Sequence, residues 1–376
     1  MKDANDRTIA RAGQVTELAG APDFPIVGKI AVGKGPISAI AVTPDGSRLL
    51  VANFADHSVS VIDAATCRIT GTFAGLGEPS AIAVGGLDSG QAYVRTATAA
   101  YDAIAVIDLP AHAVVASHPL AYSVSDLAVS LDGSHVYAGR HGAGIADVAL
   151  LDTTTGAVET LDLTDATNAV AGGDASAPTT TCLRVSPDGV HLYVASGAQL
   201  VAIETGARSG LGGARVLAAV DIGLPIRDVA LSPNGARAYV LSSAPEVGAV
   251  IDVVDTRTRR ITGTRKLGEI TGFVTGLTLS GDGDRAYLVS DDSITVLCTL
   301  THDVVGTVGT VGVSDTPSCV VESPDATCLY IAEYSGAVTV ASVASIAALR
   351  NDSAGGECES AEWIVPELVA GAPALV

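Results

Sequence analysis

The chain has 376 residues and carries 41 Asp+Glu against 21 Lys+Arg, a formal net charge of −20. A surface of that sign repels phosphate backbones and anionic bilayers, so nucleic acid and membrane surfaces are not expected as partners. The four lysines, Lys2, Lys29, Lys34 and Lys266, are too few and too scattered to build a basic stripe.

Hydrophobic residues make up 48% of the chain and aromatics only 4%. The apolar content is Ala, Val, Ile and Leu in short runs, which suits thin, closely packed sheets. No run approaches the roughly 20 apolar residues of a membrane helix. Met1 to Arg7 leads into no apolar segment of the secretory kind, so a cytoplasmic protein is expected. The six cysteines, Cys67, Cys182, Cys298, Cys319, Cys328 and Cys358, form no CxxC pair and no zinc spacing. Free thiols, no metal and no cofactor are the expectation.

Residues 1–25 read as an N-terminal extension. Ile26–Val32 (IVGKIAV) reads as a strand of the same kind as Val304–Val311 (VVGTVGTV). A marker turn of the form Ser/Thr-Pro-Asp-Gly then recurs along the chain. It stands at Thr43–Gly46, Ser130–Gly133, Ser186–Gly189, Ser232–Gly235, Ser280–Gly283 and Ser323–Ala326, with a distorted copy around Gly86–Gly90. The acidic or Asn position falls at 45, 88, 132, 188, 234, 282 and 325, a step of 43 to 56 residues. Proline presets φ and glycine accepts a positive φ, so each marker predicts a tight turn between two strands.

Short apolar strands flank every marker. Ala39–Val42 and Leu49–Ala52 are the first pair, and Cys319–Val321 and Leu329–Ala332 the last. A third strand (Val59–Asp63, Ala103–Asp108, Ile294–Cys298) and a fourth (Ile69–Phe73, Val114–Pro119, Val304–Val308) follow. Seven four-stranded antiparallel units at this period predict an all-β, seven-bladed β-propeller over residues 26–345. The seventh unit supplies only three strands, so Ile26–Val32 is expected to pair with its third strand and close the ring. Residues 346–376 read as a tail. The long step between 132 and 188 marks an insertion at 162–180, expected to be either a lid or partner-binding loop or an idle excursion.

The unit at Val42–Asp63 (VTPDGSRLLVANFADHSVSVID) resembles the YVTN-type β-propeller repeat of bacteria, over about residues 26–345. The lactonase-type seven-bladed propellers look similar at the level of the repeat. The resemblance implies the fold and, through the second group, an enzymatic alternative. No residue matches a catalytic motif of that group.

In this topology the loops entering the first strands and those joining strands two and three share one face, called the top here. The residues expected just before each first strand are Ser38, Ser80, Ser125, Thr181, Arg227, Thr275 and Ser318. Hydroxyls at strand entries satisfy backbone groups. Arg227 breaks the ring, and a lone guanidinium there is a candidate anion site, with Asp228 beside it as a candidate neutralising partner. Loops after the second strands add Asn53, Asp56 and His57, then Arg95, Tyr101 and Asp102, Arg140 and His141, Glu246, Asp291 and Asp292, and Glu333 and Tyr334.

The candidate ligand-binding set is therefore Ser38, Asn53, His57, Ser125, Arg140, His141, Arg227, Asp228, Thr275 and Ser318. The expected function is a monomeric, non-enzymatic binding or scaffold propeller that recognises a protein or small ligand on its top face. A lactonase-like hydrolase using His57, His141, Arg227 and acids is one alternative. A propeller stabilised by calcium, for instance at Asp291-Asp292, is another.

Overall fold

The computed structural model describes residues 24–86, 90–142, 145–165, 180–205, 214–268, 270, 272–309 and 316–343. The extension up to residue 23, most of the distorted marker turn of blade two, residues 166–179 of the 162–180 insertion and the tail from 344 lie outside the described residues.

Strand β1 (Ile26–Ala31) comes first in the chain. Blade one is β2 (Ile37–Val42), β3 (Arg48–Asn53), β4 (Ser58–Asp63) and β5 (Arg68–Ala74). Blade two is β6 (Glu78–Val84), β7 (Gln91–Ala97), β8 (Asp102–Asp108) and β9 (Ala113–Leu120). Blade three is β10 (Ser123–Val129), β11 (His135–Gly142), β12 (Ile145–Asp152) and β13 (Val158–Asp162). Blade four is β14 (Thr180–Val185), β15 (His191–Ser196), β16 (Gln199–Glu204) and β17 (Arg215–Asp221). Blade five is β18 (Ile226–Leu231), β19 (Arg237–Ala244), β20 (Gly248–Asp255) and β21 (Arg260–Leu267). Blade six is β22 (Val274–Leu279), β23 (Arg285–Ser290), β24 (Ser293–Cys298) and β25 (Val304–Gly309). Blade seven is β26 (Pro317–Glu322), β27 (Cys328–Glu333) and β28 (Ala337–Ser342), completed by β1 in the order β1-β28-β27-β26.

The protein is thus a ring of seven four-stranded antiparallel sheets, closed as the sequence predicts. The first strands pack against one another in a closed circle around the axis, β26 against β2 included. At the seam, Lys29 of β1 reaches 2.9 Å to the carboxylate of Glu333, which is fully buried. Glu333 also accepts the hydroxyls of Thr339 and Ser335. One carboxylate therefore ties three strands of blade seven together.

The core repeats with the blades. Tyr93, Tyr137, Tyr193, Tyr239, Tyr287 and Tyr330 occupy one position of the second strand in blades two to seven, and all six are buried; blade one has Leu50 there. Each sits in a cluster of Ala, Val, Leu and Ile drawn from two adjacent blades. Burial on both faces explains why the inner strands are apolar throughout rather than alternating.

The marker turn does two jobs. Its first residue accepts the backbone N–H five positions on, as in Arg48 to Thr43 (3.0 Å) and His191 to Ser186 (2.9 Å). Its glycine takes a positive φ, and in blades one, four, five and six it lies under the proline-position residue of the preceding blade. A Cβ on Gly235 would stand 3.3 Å from Pro187, and one on Gly283 only 2.6 Å from Pro233. Blades six and seven break this rule together. Gly281 replaces the proline of blade six, and Ala326 replaces the glycine of blade seven at φ 55. With no proline ring above it, the extra methyl has room, though the left-handed backbone still costs about 1 kcal/mol.

The marker carboxylates are held well below the usual range. The Thr43 hydroxyl and then the Ser47 N–H bring Asp45 to about 2, and the Ser130 and Ser134 hydroxyls bring Asp132 to about 2. Asp188 and Asp325 are lowered the same way by Ser186 and Ser323. A folded pKa below the unfolded value of about 3.9 gives stability that is present above pH ~4 and lost as these groups protonate towards pH ~2. Urea melts across pH 6 to 2 are therefore expected to show stability falling steeply below pH ~4; a flat profile through pH 3 would contradict the assignment.

Candidate binding site on the top face

The ring Ser38, Ser80, Ser125, Thr181, Arg227, Thr275 and Ser318 does not precede the first strands, as the sequence reading expects. Each residue lies inside its strand, at the second or third position, in a register shift that leaves it unpaired. All seven blades thus carry a β-bulge at the same point, and a bulge re-aims the side chain it carries. Three of the hydroxyls then satisfy the carbonyl opposite the bulge. Ser38 donates to Ala52 O (3.3 Å) and more closely to Pro79 O of blade two (2.5 Å). Ser125 donates to Gly139 O (3.1 Å) and Thr181 to Ala195 O (3.4 Å). Ser318 lies 3.7 Å from the Cys319 sulfur, and Thr275 is exposed.

Below this ring is a channel cavity of about 310 Å³, lined among others by Ser38, Ser80, Ser125 and Cys319. Its charged wall spans blades three to five. Arg184 donates 2.7 Å to Asp126 and 2.6 Å to Asp228. The same carboxylates stitch the blades together: Asp126 accepts the N–H of Leu183 (3.0 Å), and Asp228 accepts the N–H of Leu277 in blade six (2.9 Å). Protein surrounds the three groups, yet they keep 14–34% side-chain exposure, all to channel solvent. Burial pushes the Asp228 carboxyl up against the pull of Arg184. Burial also opposes the Arg184 charge, but Asp228 and Asp126 outweigh it and hold that pKa raised. Burial likewise raises the thiols of Cys182 and Cys319, the latter to about 12. Five cysteines, Cys67, Cys182, Cys298, Cys319 and Cys328, are free among the described residues.

Asp228 therefore does not neutralise Arg227, its neighbour in sequence. The bulge turns the two apart: Asp228 faces the channel and Arg184, while Arg227 turns towards blade six. There the guanidinium lies 4.6 Å over the Phe273 ring, and its Nε donates to Ser243 Oγ (2.9 Å).

The other predicted residues have different environments. Arg140 is buried in a two-pronged pair with Asp147, both bonds 2.7 Å, and stacks on Tyr122. His141 is half-buried beside it, and its Nδ1 has no partner among the described residues. Asn53 is buried and donates to Ser60 (2.9 Å) and Ser58 (3.3 Å). His57 is exposed in the β3–β4 turn at φ 50. The histidines belong to blades one and three, with blade two between them. Asp291 accepts the N–H of Phe273 (3.1 Å). Among the described residues no group of three or more His, Cys, Asp or Glu is arranged to hold a metal ion.

Tyr101 and Tyr334, named from the sequence, are joined on the top face by Tyr122 and Phe273, which were not. Among the described residues the exposed aromatics are Tyr101, Tyr122, Phe273 and Tyr334, and all four stand in loops of the top face. Exposed apolar residues of the bottom turns, Leu131, Val190 and Leu300, are aliphatic. The signal was present in the repeat: six tyrosines share one core position, and the three that do not are these.

Ring, channel and bulged inner strands define a seven-bladed β-propeller. No family model matches the chain. Over a 405-residue alignment spanning the whole of both chains, it is 47% identical to the "Seven-bladed beta-propeller protein Rv1057" of Mycobacterium tuberculosis strain ATCC 25618 / H37Rv, and it belongs to the family of that protein. Among solved structures it is similar to a chain of the Kuenenia stuttgartiensis hydrazine synthase, at a TM-score of 0.65 and 20% identity over 88% of this chain and 99% of that one. At that identity the likeness shows the fold alone. No helix of the described residues is long and apolar enough to cross a membrane.

Removing Arg184 would leave two enclosed carboxylates facing each other. Arg184→Ala is expected to destabilise by about 2–3 kcal/mol, less than for a dry ion pair because channel water screens the loss. Adding Asp126→Asn and Asp228→Asn should recover most of it. Urea denaturation measures both, and a neutral single mutant would refute the stitching role.

Proposed function

We propose that the protein is a non-catalytic recognition module that holds a protein partner across its top face. The observation that carries this reading is the sorting of aromatic side chains, core or top face and nowhere else among the described exposed residues. Exposed Tyr and Phe with an adjacent Arg are the residue types that anchor protein interfaces. The charged groups lower in the channel are engaged with one another, which suits a scaffold better than a reaction centre. The resemblance of the repeat to the YVTN type fits the same reading.

A test uses the full chain as bait in native lysate. Tyr101→Ser, Tyr122→Ser and Tyr334→Ser combined should reduce recovery of a specific partner by about tenfold or more, at an unchanged melting temperature. Leu131→Ser with Leu300→Ser on the bottom face should leave recovery unchanged. Equal loss from both variants, or none from the first, would overturn the proposal.

A further inference from the structure

Among the described residues four arginines lie in the interior of first or second strands, and three of them are neutralised. Arg95 pairs with Asp102 at 2.8 Å, Arg140 with Asp147 at 2.7 Å, and Arg184 with Asp126 and Asp228. Arg227 has no carboxylate partner among the described residues. Its protein contacts are the Ser243 hydroxyl on Nε and the face of Phe273. The Arg227 guanidinium is also held in place. Stacking fixes the plane of the fork, and the Nε bond fixes its rotation. The two terminal nitrogens are left without a partner among the described residues.

We propose that Arg227 is the contact point for a carboxylate of the top-face ligand, received end-on by its two terminal nitrogens. The proposal rests on the recognition reading above and adds the ligand's chemistry to it. A planar fork matches a carboxylate with two parallel N–H···O bonds. The six other blades place a small hydroxyl residue at this position, so the site is made by one substitution in the repeat. Phe273 keeps 46% of its surface exposed, and supporting the guanidinium is what its position accomplishes. Charge favours a monoanion. Asp291 binds the Phe273 N–H, and Asp292 is in the same turn, so a phosphate dianion would meet two nearby negative charges.

The experiment is an NMR titration of the full chain with arginine labelled at Nε. The probes are acetate, an amidated tetraglutamate peptide and inorganic phosphate, each at constant ionic strength. A saturable shift of the Arg227 Nε–H resonance with a carboxylate probe, with Arg95 and Arg140 unmoved, is the expected result. A free small carboxylate as the source predicts tighter binding of acetate; a protein side chain predicts tighter binding of the peptide. Arg227→Gln should abolish the ligand-dependent shift of labelled Phe273. Arg227→Lys should weaken binding about tenfold, because an ammonium keeps the charge and loses the fork. Phe273→Ala should weaken it with Arg227 intact. Absence of saturation with both carboxylates, tighter binding of phosphate, or an unchanged Phe273 response in Arg227→Gln would overturn the assignment. The lysate experiment reads Tyr101, Tyr122 and Tyr334 and leaves Arg227 in place, so the two proposals fail separately.

Discussion

Every blade of this ring is buried on both faces, so none can be stable without two neighbours. That constraint governs the rest of the structure. It makes the inner strands apolar on both sides, and it places a tyrosine or leucine of each second strand in a cluster shared with the adjacent blade. It sets the marker glycines of blades one, four, five and six under the proline-position residue next door. It also forces the chain to return to its start. Blade seven is left one strand short, and an unpaired β28 would be both an open edge and an incomplete sheet. Strand β1 completes it, with Lys29 locked to the buried Glu333.

The symmetry is approximate, and its departures are informative. Some compensate each other, as Gly281 and Ala326 do across one seam. Others build charge into the axis: Asp126, Arg184 and Asp228 hold four consecutive blades through two ion pairs and two bonds to backbone N–H groups. The remainder face outward on the top, where off-repeat aromatics and one unpaired guanidinium are found. A ring whose bottom turns show aliphatic tips and whose top shows Tyr, Phe and Arg presents two chemically different faces to solution.

Much of the fold was legible because turn chemistry and strand apolarity repeat seven times, so errors in any one unit average out. Closure was legible because a strand was visibly missing at one end and present at the other. Side-chain partnerships were harder to read. Asp228 stands beside Arg227 in sequence, yet the bulge sends the two in different directions, and the true partner, Arg184, is 44 positions away. Bulges leave no mark in an apolar strand. The Arg140–Asp147 pair follows from hairpin register alone and could have been derived from the lengths of β11 and β12. The exposed tyrosines could have been found by subtracting the repeat position from the tyrosine count.

The central claim is that β1 belongs to blade seven and that the ring opens only as a whole. Native-state hydrogen exchange of Ile26–Ala31 and Ala337–Ser342 tests it directly. Amides paired between the two strands, Lys29 with Thr339 and Ile30 with Val338 among them, should exchange no faster than those of the equivalent outer strand pairs, such as β4 with β5. Exchange of β1 and the outer edge of β28 many orders of magnitude faster than β4 and β5 would show a loosely docked strand, and the account of closure would fail.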